Sequence, residues 1–348
     1  MKNYNGSLES LALETADISL QAAKDAFLRA PLPSEKNEHW RFSDVKFWAE
    51  AASKLNPDFS AFNLEGAAKI PQNKYARAAF FALVSGGRFD AYLASKICEA
   101  NIVGVGRGEH LDFEGGLPEN VNIFILGENS SMRFKREKRF EKGFFCGANF
   151  FFLGKNSSLE SAEIFDCAGG APRYSRADFH LSDGARLNDV FVERGSSNTR
   201  SERNVFISGE RAEAELAALL TSGAEITHDL RTSQINLAPN SKTNLLVKNL
   251  LSGNAKSAFA GLIRVNESAK NTKSYQSCRS LLMSESAKAM AAPILEILTN
   301  DVECSHGCTV ARPDKEQIFY MKSRGLDAHK ANELLAEGFA GDILSRIK

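Results

Sequence analysis

The sequence has few of the features that mark membrane-spanning, secreted or nucleic-acid-binding proteins. No stretch approaches the ~18 uninterrupted apolar residues of a membrane-spanning helix. Residues 1–10 also lack the apolar run that a secretory signal needs. The 43 basic and 43 acidic residues balance, so no excess of positive charge attracts nucleic acid or an anionic membrane. We therefore expect a cytoplasmic protein that binds neither nucleic acid nor membranes.

Cysteine is scarce and irregularly spaced. The 348 residues include six cysteines, and no two of them show the two-residue gap that is usual in structural zinc motifs. Six cysteines could form three disulfides in a secreted protein. Because no export signal is visible, we expect free thiols instead.

An internal repeat organises the middle of the chain. Four similar segments each contain a short aromatic-rich apolar run that ends in turn-forming residues, and they cover residues 122–131, 149–158, 178–185 and 204–212. Their equivalent apolar residues are 27, 28 and 26 positions apart, namely Leu126, Leu153, Leu181 and Ile207. Short runs of this composition predict strands, and a regular period predicts stacked units. We expect a mainly β fold, a right-handed β-helix (β-solenoid) with α-helical capping regions at both ends.

Later segments continue the pattern less regularly. Residues 261–269 and 280–287 each predict a strand and a turn at a shorter spacing, and another rung is expected to begin at residue 293. Between residues 208 and 260 the 27-residue period is not visible. We expect inward-facing Phe, Leu, Ile and Val to fill the core. The basic segment 133–140 is expected to be a solvated edge that discourages sheet pairing.

Helical patterns occur at both ends of the chain. Residues 7–28 place apolar side chains on one helical face before a proline-containing break, and Trp40 and Trp48 are expected to pack this region onto the solenoid. Near the C-terminus Asp314 can cap one helix, Gly325 can end it, and a second helix follows Asp327. These patterns predict an N-terminal mainly helical region (1–100), a β-helix core (101–312) and a C-terminal helical region (313–348). The last region could cap the solenoid or dock a partner.

The segment around residue 306 carries the clearest chemical signal. Cys304, His306 and Cys308 alternate, so on a strand all three side chains project from one face. Thiolate and imidazole suit zinc, copper(I) and iron-sulfur iron better than magnesium or calcium. Three such residues do not complete a structural zinc site, which usually has four ligands. The segment predicts metal or sulfur chemistry with an incomplete ligand set.

The same segment resembles the C-terminal signature of the SufB/SufD family of iron-sulfur cluster assembly proteins. The matching positions are Asp301, Val302, Cys304, Ser305, His306 and Gly307, followed by residues 317–320, 323–325 and 338–339. Three upstream segments, residues 259–265, 280–282 and 293–297, occur in the family's order. Residues 38–44 are similar to the family's N-terminal motif. The strongest resemblance covers about residues 255–345.

The resemblance implies a SufD-like scaffold subunit that is not itself an enzyme. Such a subunit would pair with a SufB-like subunit through its last β rungs. Its C-terminal helices would dock a SufC-like ATPase. An iron-sulfur cluster would be held transiently and shared with the partner subunit, and no cofactor would be bound permanently.

The resemblance also implies which residues could ligate the transient cluster: His306, Cys304 and Cys278. His306 corresponds to the SufD histidine implicated in cluster assembly at the SufB/SufD interface, and Cys278 falls close to the reactive cysteine of SufB. Cys308 stands where the family usually has alanine, so it is expected to be an inert replacement. SufB has His-Glu where this chain has His306 and Gly307, which favours SufD.

Two alternatives remain open at this stage. One is a homodimeric SufB-like scaffold in which Cys278 and His306 act together. The other is a β-solenoid enzyme acting on polysaccharide, which would need paired carboxylates. Asp178, Asp183 and Asp189 lie around one rung without forming a convincing pair.

Overall fold

The computed structural model describes residues 20–37, 40, 43–57, 73–115, 117–167, 170–195, 197–223 and 225–347. The helices are α1 (Leu20–Arg29), α2 (Val45–Ser53), α3 (Lys74–Val84), α4 (Arg88–Ala94), α5 (Lys315–Ser323) and α6 (Ala328–Leu344), with a short 3-10 helix at Ile97–Glu99. The strands are β1 (Asn101–Val105), β2 (His110–Glu114), β3 (Val121–Leu126), β4 (Ser131–Arg139), β5 (Phe145–Leu153), β6 (Ser158–Cys167), β7 (Arg173–Leu181), β8 (Arg186–Gly195), β9 (Thr199–Ile207), β10 (Glu213–Ser222), β11 (Thr227–Asn236), β12 (Lys242–Leu251), β13 (Lys256–Val265), β14 (Thr272–Leu282), β15 (Lys288–Ile297) and β16 (Val302–Ala311).

The strands form two parallel eight-stranded sheets. The odd sheet contains the odd-numbered strands in chain order from β1 to β15, and the even sheet contains the even-numbered strands from β2 to β16. Each turn of the chain therefore contributes one strand to each sheet. This is a β-solenoid of about seven turns with helices at both ends, as predicted.

The rows of equivalent residues confirm the repeat. Leu126 pairs with Leu153, Leu153 with Leu181, and Leu181 with Ile207 in the odd sheet. The row then continues through Asn236, which pairs with both Ile207 and Val265. The period is not visible in the sequence after residue 208 because this amide occupies an apolar position. Its Nδ2 donates to the Arg264 carbonyl at 3.3 Å, which satisfies the buried polar group.

The shorter spacing near the C-terminus does not mark successive turns. Residues 261–265 belong to β13, whereas residues 280–282 belong to β14 in the other sheet. The two segments are therefore the two strands of one turn. Reading one strand per repeat was wrong, because each turn contains a second strand whose apolar pattern is weaker.

Stacked aromatic rings fill the space between the sheets. Phe151 stacks on Phe124 at 4.6 Å and on Phe179 at 5.0 Å between ring centroids. All three rings are fully buried. Burial of each such ring contributes roughly 2–3 kcal/mol relative to exposure. This part of the core is as apolar as the sequence predicts.

Buried ion pairs also lie inside the solenoid. Arg203 donates to both carboxylate oxygens of Asp189, at 2.9 and 2.6 Å, and to Glu163 at 2.8 Å. Arg173 forms a second buried pair with Glu193. The predicted Phe, Leu, Ile and Val thus fill much of the interior, and buried ion pairs occupy another part of it. These charges are tolerated because each carboxylate has a hydrogen-bonded cationic partner.

The basic segment 133–140 is not a solvated sheet edge. Its residues form most of β4, which pairs with β2 on one side and with β6 on the other. Arg136 is buried and forms an ion pair with Glu119. The edge prediction was wrong, because charges that look solvated in the sequence have partners on neighbouring segments.

The N-terminal helices pack on the outer face of the odd sheet. Trp40 and Trp48 are buried in one apolar cluster with Phe89 and Tyr174, which confirms the predicted role of the two tryptophans. The Arg200 guanidinium lies 3.7 Å from the centre of the Trp40 ring. The predicted helix over residues 7–28 is observed from residue 20 onward, and residues 7–19 lie outside the described part of the chain, as do 38, 39, 41 and 42 of the N-terminal motif.

The two C-terminal helices form as predicted. Asp314 caps α5 by accepting from the Glu316 N–H at 2.9 Å, and Gly325 follows with a φ of +95°. Asp327 caps α6 by accepting from the Lys330 N–H at 2.8 Å. A left-handed φ after a helix is the conformation that favours glycine.

The two helices differ in how they pack. α6 lies on the outer face of the even sheet, where Ala340 and Ile343 contact an apolar cluster that includes Val190 and Leu219. Lys248 adds a 2.6 Å ion pair to Asp342. Every residue of α5, in contrast, is exposed or only partly buried. No helix in the described ranges is long and apolar enough to cross a membrane.

Candidate functional site

The predicted soft ligands lie on the last strand of the even sheet. On β14, the residues Ser274, Gln276 and Cys278 are buried on the inner face and alternate with more exposed neighbours. In β16 their partners in register are Cys304, His306 and Cys308. Residues in register on parallel strands project to the same side. The prediction that the three alternate residues share one face is confirmed, and this face is the inner one.

The open end of the solenoid exposes this inner face. β16 pairs with β14 on one side, and the described residues place no strand on its other side. Cys308 and His306 are therefore exposed and Cys304 is half-buried, whereas Cys278 is only 1% exposed beneath β16. We call these four residues the end-rung site. Positions that are buried from β4 to β14 are accessible here.

Cys278 has a polar environment inside the solenoid. The Asn249 side chain donates to its sulfur at 3.5 Å and to the Ser280 hydroxyl at 2.9 Å. Burial raises the pKa of the Cys278 thiol to about 12, and the neighbouring Cys308 adds to the shift. The thiol is thus protonated at neutral pH, and its reactivity requires that it be uncovered.

The other two thiols are also protonated at rest. Partial burial raises the pKa of Cys308, although hydrogen bonds from the Cys278 backbone and thiol oppose the shift. Burial likewise raises the pKa of Cys304, opposed by the backbone of Ser274. Binding of iron to any of these thiols must therefore release a proton.

The end-rung site does not form a closed metal centre. Among the residues that the structure describes, no group of three or more His, Cys, Asp or Glu side chains converges on one point. On one strand, neighbouring side chains of the same face are separated by about 6.6 Å, twice the rise per residue. Cys304, His306 and Cys308 therefore present separate donors, and a complete ligand set needs donors from elsewhere.

The wall behind His306 is polar. Gln276, its partner in register, donates to the Gly261 carbonyl at 3.1 Å, and its own Oε1 is buried with no partner among the described residues. A Cβ at residue 261 would lie 2.3 Å from this oxygen, so a larger residue there would force the amide to move. The interior thus changes from stacked phenyl rings in the middle turns to amides, hydroxyls and thiols at this end.

The structure brings Cys308 to Cys278, a pairing that sequence reasoning missed. The two residues are 30 positions apart and lie in register on neighbouring strands. Cys308 was predicted to be an inert replacement because its position usually holds alanine in the resembling family. The 30-residue spacing between the two cysteines could have revealed the pairing, because neighbouring even strands near this end are offset by about the same number of residues.

The carboxylates considered for a polysaccharide-active site are occupied elsewhere. Asp178 is buried in a 2.8 Å ion pair with Arg176, and Asp189 is buried in its pair with Arg203. Asp183 accepts from the Glu210 N–H at 2.8 Å in a turn. These three side chains do not form an accessible pair.

Comparison with known protein families agrees with the family that the sequence resembles. A family model described as "SUF system FeS cluster assembly, SufBD core domain" matches residues 116–339. The chain belongs to the SufBD family. The match covers most of the solenoid and both C-terminal helices up to Phe339, and it includes all four residues of the end-rung site.

Curated SufBD proteins are similar over about half of the chain. An iron-sulfur cluster assembly SufBD family protein of Synechocystis sp. is 31% identical over 183 residues, which are 50% of this chain and 40% of that protein. A member from Mycobacterium tuberculosis is 28% identical over 164 residues, 47% of this chain and 19% of the relative. One from Pyropia yezoensis is 25% identical over 163 residues, 47% of this chain and 34% of the relative. The aligned regions thus span less than half of the length of these SufBD relatives.

Proposed function

We propose that this SufBD chain is a SufD-like scaffold subunit of the SUF system that assembles nascent iron-sulfur clusters together with a SufB-like subunit. The observation that carries the proposal is the end-rung site, where His306 and Cys308 lie exposed and Cys304 half-buried at the open end of a SufBD solenoid. The chain acts as a scaffold and not as an enzyme. The cluster is its cargo, held transiently between subunits.

The incomplete ligand set supports a shared, transient cluster. Iron-sulfur clusters are usually held by four protein ligands, mostly thiolates. Separate donors on one strand can supply only part of such a set, and a partner facing the open end can supply the remainder. Release of the finished cluster is easier from a site that is complete only while two subunits are together.

Exposed sheet ends support pairing with the SufB-like subunit through the last rungs. β15 and β16 each have one bonded neighbour in the described structure, so their outer edges can accept a further strand. Large apolar side chains are exposed on or beside these strands, between 38% and 50%: Ile294, Ile297, Leu298 and Val310. Apolar surface beside unpaired strand edges is typical of a protein interface. Pairing here would continue both sheets into the partner and bring its donors to His306.

The exposed helix α5 supports docking of a SufC-like ATPase. Phe319 and Tyr320 are 73% and 58% exposed on this helix, while α6 is anchored to the even sheet. The sequence left two roles open for these helices, capping the solenoid and docking a partner. In this proposal α6 covers the sheet, and α5 remains exposed for the partner. ATP binding by the docked subunit would supply the energy to open the end rung.

The pair His306–Gly307 supports the SufD assignment, because the carboxylate that follows the histidine in SufB is replaced by glycine. A homodimeric SufB-like scaffold is the second candidate. Cys278 lies in register with Cys308, which is two positions from His306 on β16. This arrangement favours the homodimer, because one chain then carries thiol and imidazole donors at the same end of the solenoid.

Co-purification from native extract tests the proposal. Tagged wild-type protein is compared with Val310→Lys at the open end and with Ile102→Lys on β1 at the opposite end of the odd sheet, two apolar positions that are 50% and 38% exposed. We expect wild type and Ile102→Lys to recover equal amounts of a SufB-like subunit, together with a SufC-like ATPase. Val310→Lys is expected to lose the SufB-like subunit. A homodimer with its own iron and sulfide would support the second candidate, and recovery of a metal-free single chain would contradict both.

A further inference from the structure

Among the described residues, Cys278 and Cys308 are the only two cysteines that lie in register on neighbouring strands. Their Cα atoms are separated by the spacing of parallel strands, about 4.8 Å. This separation lies within the range of roughly 4.4–6.8 Å that disulfides require. Both side chains project to the inner face, because residues in register on parallel strands share a face. The two thiols are therefore neighbours on that face.

The end of the sheet permits the small movement that bond formation needs. A disulfide brings the two Cβ atoms to about 3.8 Å, closer than in-register strands usually hold them. β14 is fixed between two strands, but β16 has one bonded neighbour and its residues are exposed on both faces from Ser305 to Ala311. β16 can therefore move toward β14 without disturbing a packed core.

We propose that Cys278 and Cys308 form a reversible disulfide that withdraws both thiols from the end-rung site, so that the oxidised chain no longer accepts iron or sulfide. The oxidant is a small-molecule disulfide of the glutathione type. This inference rests on the proposed function, since it regulates the same site. Cys304 has Ser274 as its partner in register, so it is left out of the bond.

The reaction is a two-step thiol–disulfide exchange. The exposed Cys308 reacts first, when its thiolate attacks one sulfur of oxidised glutathione and releases one glutathione thiolate, which takes up a proton. Cys278 then loses its proton, and its sulfur attacks the Cys308 sulfur of the mixed disulfide and releases the second glutathione. The chain loses two hydrogen atoms and two electrons, and oxidised glutathione becomes two molecules of reduced glutathione.

Mass spectrometry of the full chain tests whether the bond forms. The reduced protein is incubated with oxidised glutathione, alkylated under denaturing conditions and digested. We expect two fewer alkylated cysteines than in the reduced sample, and a cross-link between the peptides that contain Cys278 and Cys308, reversed by dithiothreitol. Because Cys304 lies near Cys308 in the sequence, Cys304→Ser and Cys308→Ser are the matched variants.

The two variants give opposite expectations. Cys304→Ser keeps the cross-link, because its residue 308 is unchanged, and Cys308→Ser loses it. Loss of the cross-link in Cys304→Ser, its persistence in Cys308→Ser, or its absence from oxidised wild type would overturn the proposal. These readouts do not depend on cluster assembly.

Iron and sulfide uptake by the complex with its partner subunits tests the consequence. We expect the oxidised wild type to lose uptake and dithiothreitol to restore it. Cys308→Ser lacks one donor of the site, so its uptake is compared with that of its own reduced complex, and we expect the oxidation to leave that level unchanged. A cross-linked wild type with unchanged uptake would contradict the switch. Lack of uptake by the fully reduced complex would instead contradict the proposed function, and the cross-link measured by mass would still show whether the bond exists.

Discussion

Cys278 and Cys308 lie opposite each other on β14 and β16, although 30 residues of sequence separate them. The same register places Gln276 beside His306. The end-rung site is thus a continuation of the interior rows of the solenoid and not a separate loop. Side chains of these rows are buried from β4 to β14, and they are accessible on β16 because no further strand of the described chain covers them.

Replacing His306 with alanine is expected to lower cluster assembly while leaving the fold intact. The side chain is exposed beyond the last rung, so its loss creates no cavity. Loss of one donor to a transient iron site is expected to reduce iron and sulfide incorporation about tenfold or more. Incorporation is measured on the purified complex, and thermal unfolding reports the fold.

His110→Ala is the matched control for this prediction. His110 is also exposed, but it lies on β2 near the opposite end of the even sheet, where it contacts Ser131. We expect wild-type incorporation in this variant. Equal incorporation by His306→Ala and His110→Ala would remove His306 from the mechanism.

Replacing Arg203 with methionine is expected to destabilise the solenoid strongly. Arg203 is the cationic partner of the buried carboxylates of Asp189 and Glu163. Removing one partner from such a buried ion pair costs about 3–5 kcal/mol, because the remaining charges stay desolvated. The shift of the urea unfolding midpoint measures this loss.

Arg211→Met provides the comparison at the surface. Arg211 pairs with Glu210, but its side chain is 69% exposed. An exposed pair contributes about 0–1 kcal/mol, so only a small shift is expected. If the two variants lost similar stability, the interior ion pairs would not be the stabilising elements that their burial indicates.

His180 is expected to make the protein less stable in mild acid. Its ring stacks between Phe152 and Phe206, at 4.7 and 4.8 Å, and burial lowers its pKa from 6.5 to about 4. Because the folded state keeps this ring neutral, stability is fully present above about pH 6.5. As the pH falls from there toward 4, the unfolded chain takes up a proton that the folded chain does not, and stability is lost.

His180→Phe tests this pH dependence. Phenylalanine preserves the stack and removes the titrating group, so the variant should lose less stability than wild type between pH 6.5 and 4. The difference is up to about 3 kcal/mol, since each pKa unit corresponds to about 1.4 kcal/mol. Urea unfolding at a series of pH values measures it. His329→Phe, at a side chain that is 84% exposed, should retain the wild-type slope, and identical slopes in all three proteins would contradict the assignment to His180.

The double variant Phe319→Ala, Tyr320→Ala is expected to bind the SufC-like ATPase more weakly without losing stability. Both side chains are largely exposed, so their removal should change the free energy of unfolding by about 0.5 kcal/mol or less. If they are central anchors of the interface, the dissociation constant should rise at least about tenfold. Calorimetry or surface plasmon resonance measures the affinity. Leu28→Ala on α1, at a side chain that is 76% exposed, is the control and should bind normally.

Several features of the fold follow from local sequence. The row from Leu126 to Ile207 is visible because strongly apolar residues recur at a nearly constant spacing. Asp314, Gly325 and Asp327 mark the C-terminal helices because caps and left-handed stops depend on neighbouring residues alone. Such signals act over a few residues, so they are readable without the tertiary structure.

Other features depend on contacts between distant residues. The second strand of each turn, the ion pairs of Arg203 and the pairing of β4 on both sides were missed or misread, because each depends on which segment lies on the next rung. The sequence does not show whether a charged side chain is solvated or forms an ion pair inside the solenoid. That depends on which residues the neighbouring strands place beside it.

The sequence by itself determined the β-solenoid, its helical ends, the family and the shared face of Cys304, His306 and Cys308. These depend on periodicity and on local motifs. The tertiary structure decided that this face is the inner one, that it becomes accessible at the last rung, and that Cys278 lies against Cys308. The physical reason is that alternation along a strand defines two faces but does not say which of them faces the core. The register of β16 with β14, whose inner residues are buried, makes that choice, and the same register brings together residues that are about 30 positions apart.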